Sequence, residues 1–431
     1  MKALVNHTAS QVAIEAVWRI ESTRLIAGLA RIVRDIGLAE DLAHDALVVA
    51  LERWPESGVP DNPGAWLMAT AKRRAIDLLR RQKLGGRKQE ELGREIMAQA
   101  EPDPYAAVEE EVSDNLLRLI FIACHPVLPR EGRIALTLRL FARLTTSEIA
   151  RAFLVPEPTV AQRIVRAKRT LSASRVPFEL PGPTERASRL SSVLEVIYLT
   201  FNEGYAATAG EDLIRPTLCQ EALRLGRILT ELEPNESEVH ALVALMELQA
   251  SRFRARTDPA GAPILLMDQD RSRWDHLLIR RGLAALERAE RLGGALGPYA
   301  LQASVAACHA RARTAAETDW PRIAALYEAL ARVTPSPVIE LNRAVALSMA
   351  FGPAVGLELV DSLLSEPLLR GYHLLPMVRG DLLFRLGRYT EAESEFARAA
   401  TLSTNLRERA LLEARVAESA NRGRVPGSSH E

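Results

Sequence analysis

Only three cysteines occur in the 431-residue chain, Cys124, Cys219 and Cys308, and they lie far apart. An odd number at such separations excludes a disulfide framework and any cysteine-based metal spacing, and leaves free thiols suited to buried positions. Aromatic residues make up only 5% of the chain, and strand-type alternation is almost absent. With alanine, leucine and arginine dominant, this composition disfavours a β-rich fold and points to an all-α protein. Net charge is also missing: 55 Lys and Arg balance 55 Asp and Glu, so any nucleic-acid surface must be local. No apolar run reaches membrane-spanning length, and the N-terminus lacks the charged-then-apolar signal pattern, so a cytoplasmic protein with no membrane partner is expected. No phosphate loop, nucleophile motif or metal spacing is present, so no enzyme activity, metal or cofactor is expected. The length exceeds a single core and implies about two or three domains.

Local charge is what the chain does have. Eight cations (Lys72, Arg73, Arg74, Arg80, Arg81, Lys83, Arg87, Lys88) stand between 72 and 88 with one acid, Asp77. Four more, Arg163, Arg166, Lys168 and Arg169, occupy 163–169 with none. Between the two basic stretches lies an acidic one running from Glu90 to Glu111.

Periodicity places the first basic stretch on a helix. Val12, Val17, Ile20, Leu25, Leu29 and Ile32 predict a long helix over 9–36, stopped by Gly37. A second helix is expected over 38–54, with Leu42, Ala46, Val49 and Ala50 inward, Glu40, Asp41 and Asp45 on the open face, and Pro55 ending it. After the turn-rich segment 55–63, Asn62-Pro63 starts a third helix to about Lys83. Met68, Ala71, Ala75 and Leu78 share its apolar side, and Trp66, Thr70, Arg73, Asp77 and Arg80 another, with Arg74 and Arg81 beside it. An aromatic among cations suits single-stranded DNA, whose bases stack while phosphates meet the cations; a Trp that simply packs beside a solvated charge run is the other reading.

The second basic stretch reads as a helix-turn-helix, ARLTTSEIARAFLVPEPTVAQRIVRAKRTL. Further helices are expected over 113–124 and 130–141. Thr145 or Thr146 caps a short helix over 146–153, with Glu148 in its first turn. Leu154-Val155-Pro156 makes the turn into a helix over 157–171, with Val160, Ile164, Ala167 and Leu171 facing inward. Thr159, Gln162, Arg163 and Arg166 then point outward, where an amide reads adenine and a guanidinium reads guanine in the major groove. Lys168 and Arg169 are better placed for phosphates. A helical hairpin with a basic face and no DNA role is the alternative.

Three motifs now agree in order. AEDLAHDALVVALERW (39–54), PGAWLMATAKRRAIDLLRR (63–81) and LTTSEIARAFLVPEPTVAQRIVRAKRTL (144–171) resemble, respectively, the core-polymerase-binding helix, the −10 reading helix and the −35 reading helix-turn-helix of extracytoplasmic-function sigma factors of bacterial RNA polymerase. The resemblance covers about 17–171. It implies core-polymerase contact by Asp41, Leu42, Asp45 and Val49. It implies −10 contact by Asp61, Asn62, Trp66, Thr70, Arg73, Arg74, Asp77, Arg80 and Arg81, with the loop at Asp61 and Asn62 holding a flipped base. The −35 contact falls to Thr159, Gln162, Arg163, Arg166, Lys168 and Arg169. The small residues Ala46 and Ala50 depart from the bulkier ones common in the family. The implied partners are core RNA polymerase and promoter DNA.

Some 250 further residues follow roughly. Pro177, Pro181 and Pro183 mark a linker over 176–184. Gly380, Ala392, Phe396 and Ala399 fit the small and aromatic positions of a tetratricopeptide-type unit, with Ala344, Ala222, Pro234 and Ala244 at matching places in others; the stretch 283–337 is irregular. FNEGY (201–205), DQDRSRWD (268–275) and GPYALQASVAACHARA (297–312) make the chain resemble the subgroup of these sigma factors with a tetratricopeptide-like extension. That resemblance implies a regulatory role for the extension, replacing a separate anti-sigma factor. Asn202, Glu203, Tyr205, Asp268, Asp270, Trp274, Asp275, Gly297, Tyr299 and His309 are the candidate regulatory residues. They form either buried polar pairs that pin loops, for instance Asp275 with an arginine, or a site for a regulatory ligand, a peptide or a protein.

The expected organisation is sigma region 2 over 1–84, an acidic linker over 85–112, sigma region 4 over 113–175, and an α-solenoid extension over 185–425. The expected function is a transcription initiation factor; the alternative is a helix-turn-helix regulator with a repeat sensor domain and no polymerase association.

Overall fold

A computed structural model describes residues 2–83, 106–142, 144–153, 155–174, 176–206, 214–259 and 261–424. Among them there are helices and one isolated bridge, Thr257 to Pro263, as the composition predicts. The chain divides into two compact units, 1–196 and 197–431.

In the first unit, helix α1 (Lys2–Val33) packs on α2 (Ile36–Ser57), α3 (Pro63–Lys83) and α4 (Ala106–Ala123). Leu25, Leu29, Ala46, Ala50, Leu67, Ala71 and Ala75 are buried in its core. The small residues Ala46 and Ala50 are fully buried. Three expectations are corrected. Helix α1 ends at Val33, because Arg34 adopts a left-handed φ of 53° and the Asp35 carboxylate accepts from the Leu38 N–H at 2.9 Å to cap α2; Gly37 therefore lies inside α2. Pro55 sits in the last turn of α2, which runs on to Gly58 at φ 82°. Ile20 faces solvent, and Ile14 and Ile26 fill the core instead. The start of α3 is as expected: Asn62 Oδ1 accepts from the Ala65 N–H at 3.0 Å.

Of the acidic linker expected over 85–112, residues 85–105 lie outside the described residues, while 106–112 already belong to α4. Helix α5 (Arg130–Thr137) passes into a π-turn, Leu138–Ala142. A wider turn reshuffles carbonyl partners, and here the Leu140 carbonyl accepts from the Thr23 hydroxyl of α1 at 3.0 Å. Helices α6 (Thr146–Phe153) and α7 (Glu157–Ala173) complete the helix-turn-helix. The capping box forms at Thr145: its hydroxyl accepts from the Glu148 N–H at 3.2 Å, and the Glu148 carboxylate accepts from the Thr145 N–H at 2.7 Å. Val160, Ile164, Ala167 and Leu171 are the buried face of α7.

Helix α8 (Pro183–Tyr205) begins in the first unit. Its Ser192 hydroxyl donates to the Cys124 carbonyl at 2.6 Å, and Arg133 reaches Glu195 at 3.1 Å. The compact division thus falls at 196, beyond the expected linker, because the first turns of α8 are bonded to Cys124, just past α4, and to α5.

The second unit contains α9 (Pro216–Leu232), α10 (Ser237–Ala250), α11 (His276–Arg291), α12 (Pro298–Arg311), α13 (Trp320–Val333), α14 (Pro337–Phe351), α15 (Pro353–Ser362), α16 (Leu374–Arg385), α17 (Tyr389–Leu402) and α18 (Leu406–Arg424). Neighbours in sequence pack in space, as a helical-repeat solenoid requires. Ala222, Ala244, Ala344, Ala392 and Ala399 are fully buried. Gly380 lets α16 approach the Phe396 ring: a Cβ there would stand 3.0 Å from Cδ1. The long α10–α11 connection holds short turns and DQDRSRWD. All three cysteines are free and buried, and burial pushes the Cys124 and Cys219 thiols up to about 12.

Candidate promoter-recognition surfaces

Helix α3 carries its cations on an open face. Arg73, Arg74, Asp77 and Arg80 are exposed, as are Asp61 and Asn62 in the preceding turn. Arg81 is in the helix, but its side chain lies outside the described residues. Trp66 is half-buried, edge-on to the buried Trp54 with ring centroids 5.2 Å apart, and its carbonyl accepts from the Thr70 hydroxyl at 2.9 Å. Packing against Trp54 fixes the indole while leaving part of it accessible.

On α2, Asp41 and Asp45 are exposed and Val49 is half-buried. Leu42 is a correction: at 3% exposure it fills the α1–α3 core and has no surface to offer a polymerase. The apolar residues that do reach solvent on this helix are Val48 at 50% and Leu51 at 42%. Val48, one turn on from Asp45, was the available signal, obscured because valine and leucine read as inward by type. Asp45 pairs with Arg74 of α3 at 3.0 Å, a surface bridge worth little in stability that joins the two candidate surfaces.

Helix α7 exposes Gln162, Arg166 and Arg169, with Thr159 and Arg163 half-buried beside them. Lys168 differs from expectation. Its Nζ lies 2.7 Å from the Glu40 carboxylate, and Arg139 Nε lies 3.1 Å from the other oxygen. Glu40 itself, expected on the open face of α2, is 6% exposed. Burial alone would raise its carboxyl, but Lys168 and Arg139 outweigh burial and hold it below the ordinary value. Lys168 is thus paired with Glu40 of α2.

In the extension most of the candidate regulatory residues serve local structure, each in its own way. Glu203 pairs with Arg215. Asn202 is half-buried, and its carbonyl accepts from the Ala206 N–H at 2.9 Å. Asp268 is exposed at the end of a short turn. Asp270 accepts from the Ser272 N–H at 2.9 Å and hydroxyl at 2.6 Å. Asp275 meets no arginine; it caps α11 by accepting from the Leu277 and Leu278 N–H groups at 2.9 and 3.1 Å. Trp274 is buried in the core. Gly297 caps α12 where the Glu238 carboxylate comes so close that a Cβ would meet it, and that carboxylate accepts from the Tyr299 N–H at 2.9 Å. Tyr299 also stands edge-on to Tyr198. Burial and the nearby Arg252 and Arg271 push the buried His309 down to about 3, so it is neutral. Sequence reasoning missed Arg271, which donates at 2.8 Å to both the His309 and Ala312 carbonyls and at 2.9 Å to the Thr318 hydroxyl, closing the end of α12. Tyr205 and Gln269, by contrast, face a cavity. Among the described residues no group of side chains could hold a metal ion, and no helix is long and apolar enough to cross a membrane.

Residues 20–84 match Sigma-70 region 2, and 118–171 match Sigma-70 region 4. Residues 189–290 match a family of unknown function, DUF6596. An uncharacterized protein of Rhizobium meliloti (strain 1021) is 42% identical over 392 residues, covering 90% of this chain and 91% of that one. The crystal structure of yeast Tom70 aligns over 99% of this chain and 90% of that chain at 10% identity with a TM-score of 0.37, too low to bear on the fold. Sigma-70 families are DNA-binding initiation factors and not enzymes. With regions 2 and 4 in order and the DUF6596 extension behind them, the chain belongs to the extracytoplasmic-function sigma factors that carry a C-terminal extension.

Proposed function

We propose that this sigma factor binds core RNA polymerase through the exposed face of α2, directs it to promoters through α3 at the −10 element and α7 at the −35 element, and is modulated by its own helical-repeat extension. The observation that carries the reading is the placement of exposed cations on two separate helices, α3 and α7, within the two matched sigma regions. Arg73, Arg80 and the edge of Trp66 suit a single strand, with the exposed Asp61–Asn62 turn beside them for an unstacked base. Gln162 and Arg166 suit base edges, and Arg169 a phosphate. Neither surface needs high affinity alone, because polymerase holds both on one promoter. On α2, Asp41, Val48 and Leu51 supply the charged and apolar surface for the clamp.

The Glu40 contact supports a resting form in which α7 is held against α2, with Lys168 withdrawn from DNA. Promoter engagement then includes exchange of the Glu40 carboxylate for a phosphate as the partner of Lys168. The test is reconstitution: purified protein mixed with core polymerase forms a complex and initiates at specific promoters. Duplex binding by the protein alone with high affinity, and no complex with core polymerase, points instead to a free-standing helix-turn-helix regulator.

A further inference from the structure

The repeat unit contains a cavity of about 290 Å³ where the end of α8, the α10–α11 connection, the start of α16 and helix α18 meet. It unites two sequence motifs that promoter recognition does not use, since Tyr205 of FNEGY and Gln269 of DQDRSRWD both line it. Its apolar wall includes Ile264, Leu374, Met377 and Leu411. Leu265, Leu266, Met377, Leu411 and Leu412 also line an adjoining apolar cavity of about 260 Å³, so these side chains are a wall common to both.

Its polar groups have unmet capacity. Gln269 is 9% exposed; its amide nitrogen donates to the Ile264 carbonyl at 3.1 Å, while its buried Oε1 has no partner. A buried orphan acceptor is costly unless something supplies a donor. Two guanidinium groups line the same space, and among the described residues neither forms an ion pair. Arg256 lies on the Tyr205 ring at 3.8 Å and donates to the Tyr205 carbonyl. Arg252 stands 5.7 Å from the same ring, reaches Gln249 at 3.4 Å, and has a buried Nε with no partner. The one acid on the wall, Glu408, lies 3.2 Å from His373 Nε2, and its charge also favours the Arg256 guanidinium. Two arginines against one carboxylate leave the cavity electropositive, and a guanidinium is suited to a carboxylate by geometry as well as charge.

We propose that this cavity is a binding site for a small amphiphilic carboxylate, its anionic head between Arg252 and Arg256, a donor group on Gln269 Oε1, and its apolar body along Met377 and Leu411 toward the adjoining cavity. Such a site has the build of a small-molecule pocket, apolar walls with a few convergent polar groups. It goes beyond promoter recognition and is tested without polymerase or DNA, so failure of one reading leaves the other standing.

Octanoate, which supplies the anionic head and the apolar body and leaves Gln269 Oε1 to water, should bind saturably at one site when titrated into the full chain by calorimetry, and octylamine, equally apolar but cationic, should not. Arg252→Gln should weaken octanoate roughly tenfold or more, the scale set by losing one charge-assisted contact. Leu411→Trp, which fills the cavity with a side chain, should abolish binding. Should Arg252→Gln fail to fold by circular dichroism, Gln269→Glu sets a carboxylate at the orphan acceptor and should repel octanoate. No saturable octanoate binding, equal binding of octylamine, or full octanoate affinity in the folded variants would overturn the assignment.

Discussion

Glu40→Gln is the sharpest probe of how regions 2 and 4 are held in the free protein. The amide keeps the shape of the carboxylate and removes its charge, leaving Lys168 and Arg139 against a neutral group. Their side chains are 24% and 29% exposed, and that of Glu40 is 7%. Removing one member of a buried pair costs about 3–5 kcal/mol; the partial solvent access of the two cations lowers this to about 2 kcal/mol for the α2–α7 contact. That is roughly a thirty-fold rise in the local opening equilibrium. Amide hydrogen exchange on the full chain reads it directly: protection in α2 and α7 should fall together by about that factor, while α16 and α17 stay unchanged. Lys168→Met should weaken the same protection, and the double variant should show a coupling of about 1 kcal/mol or more. The pH dependence carries the same signature. The Glu40 carboxyl is held below its ordinary value of 4.5 in the folded chain, so its contribution is present above that value and is lost as pH falls through the lower folded one. Acid loosening of α2 and α7 below 4.5 should therefore be blunted in Glu40→Gln. Unchanged exchange in Glu40→Gln, or strict additivity with Lys168→Met, would refute the latch.

Gly204→Ala should destabilise the repeat unit by about 1–3 kcal/mol in urea unfolding, because a Cβ there lies 2.8 Å from the backbone N of Cys219, which cannot swing aside. His309, ordinarily at 6.5 and about 3 here, makes folding proton-sensitive: stability is full above 6.5 and declines as pH falls from there toward 3. His309→Gln should flatten that slope in thermal unfolding between those pH values; an unaltered slope would place the titration elsewhere. Trp66→Ala should spare duplex binding and impair promoter melting, read by permanganate reactivity, whereas Arg163→Ala should weaken −35 binding by about 1–3 kcal/mol; equal effects of both on duplex binding would contradict the division between α3 and α7.

Local signals proved readable wherever partner atoms lie within a turn or two. The Asn62 cap and the buried face of Val160, Ile164, Ala167 and Leu171 follow from spacing alone, and spacing narrowed the next cap to Thr145 or Thr146 with Glu148, since helix geometry fixes which neighbours meet. The small-residue and aromatic pattern around Gly380 and Phe396 likewise reports a close approach between consecutive helices. Gly37 misled because a glycine marks a helix end only when no better cap is near, and the Asp35 carboxylate was.

The sequence by itself determined the helical class, the order of two sigma regions and a repeat extension, and most inward faces, because periodicity and caps are short-range. Only the tertiary structure decided what long-range neighbours impose. It buried Glu40 between Lys168 and Arg139, turning an open-face acid into a tie between α2 and α7. It sank Leu42 into the core and left Val48 and Leu51 outside. It also brought Tyr205, Gln269 and Leu411 to one cavity from three distant parts of the chain. The physical reason is common to all three: the cost of burying a charge or an orphan amide, and the surface left to an apolar side chain, depend on which remote element packs over it, and no local spacing encodes that.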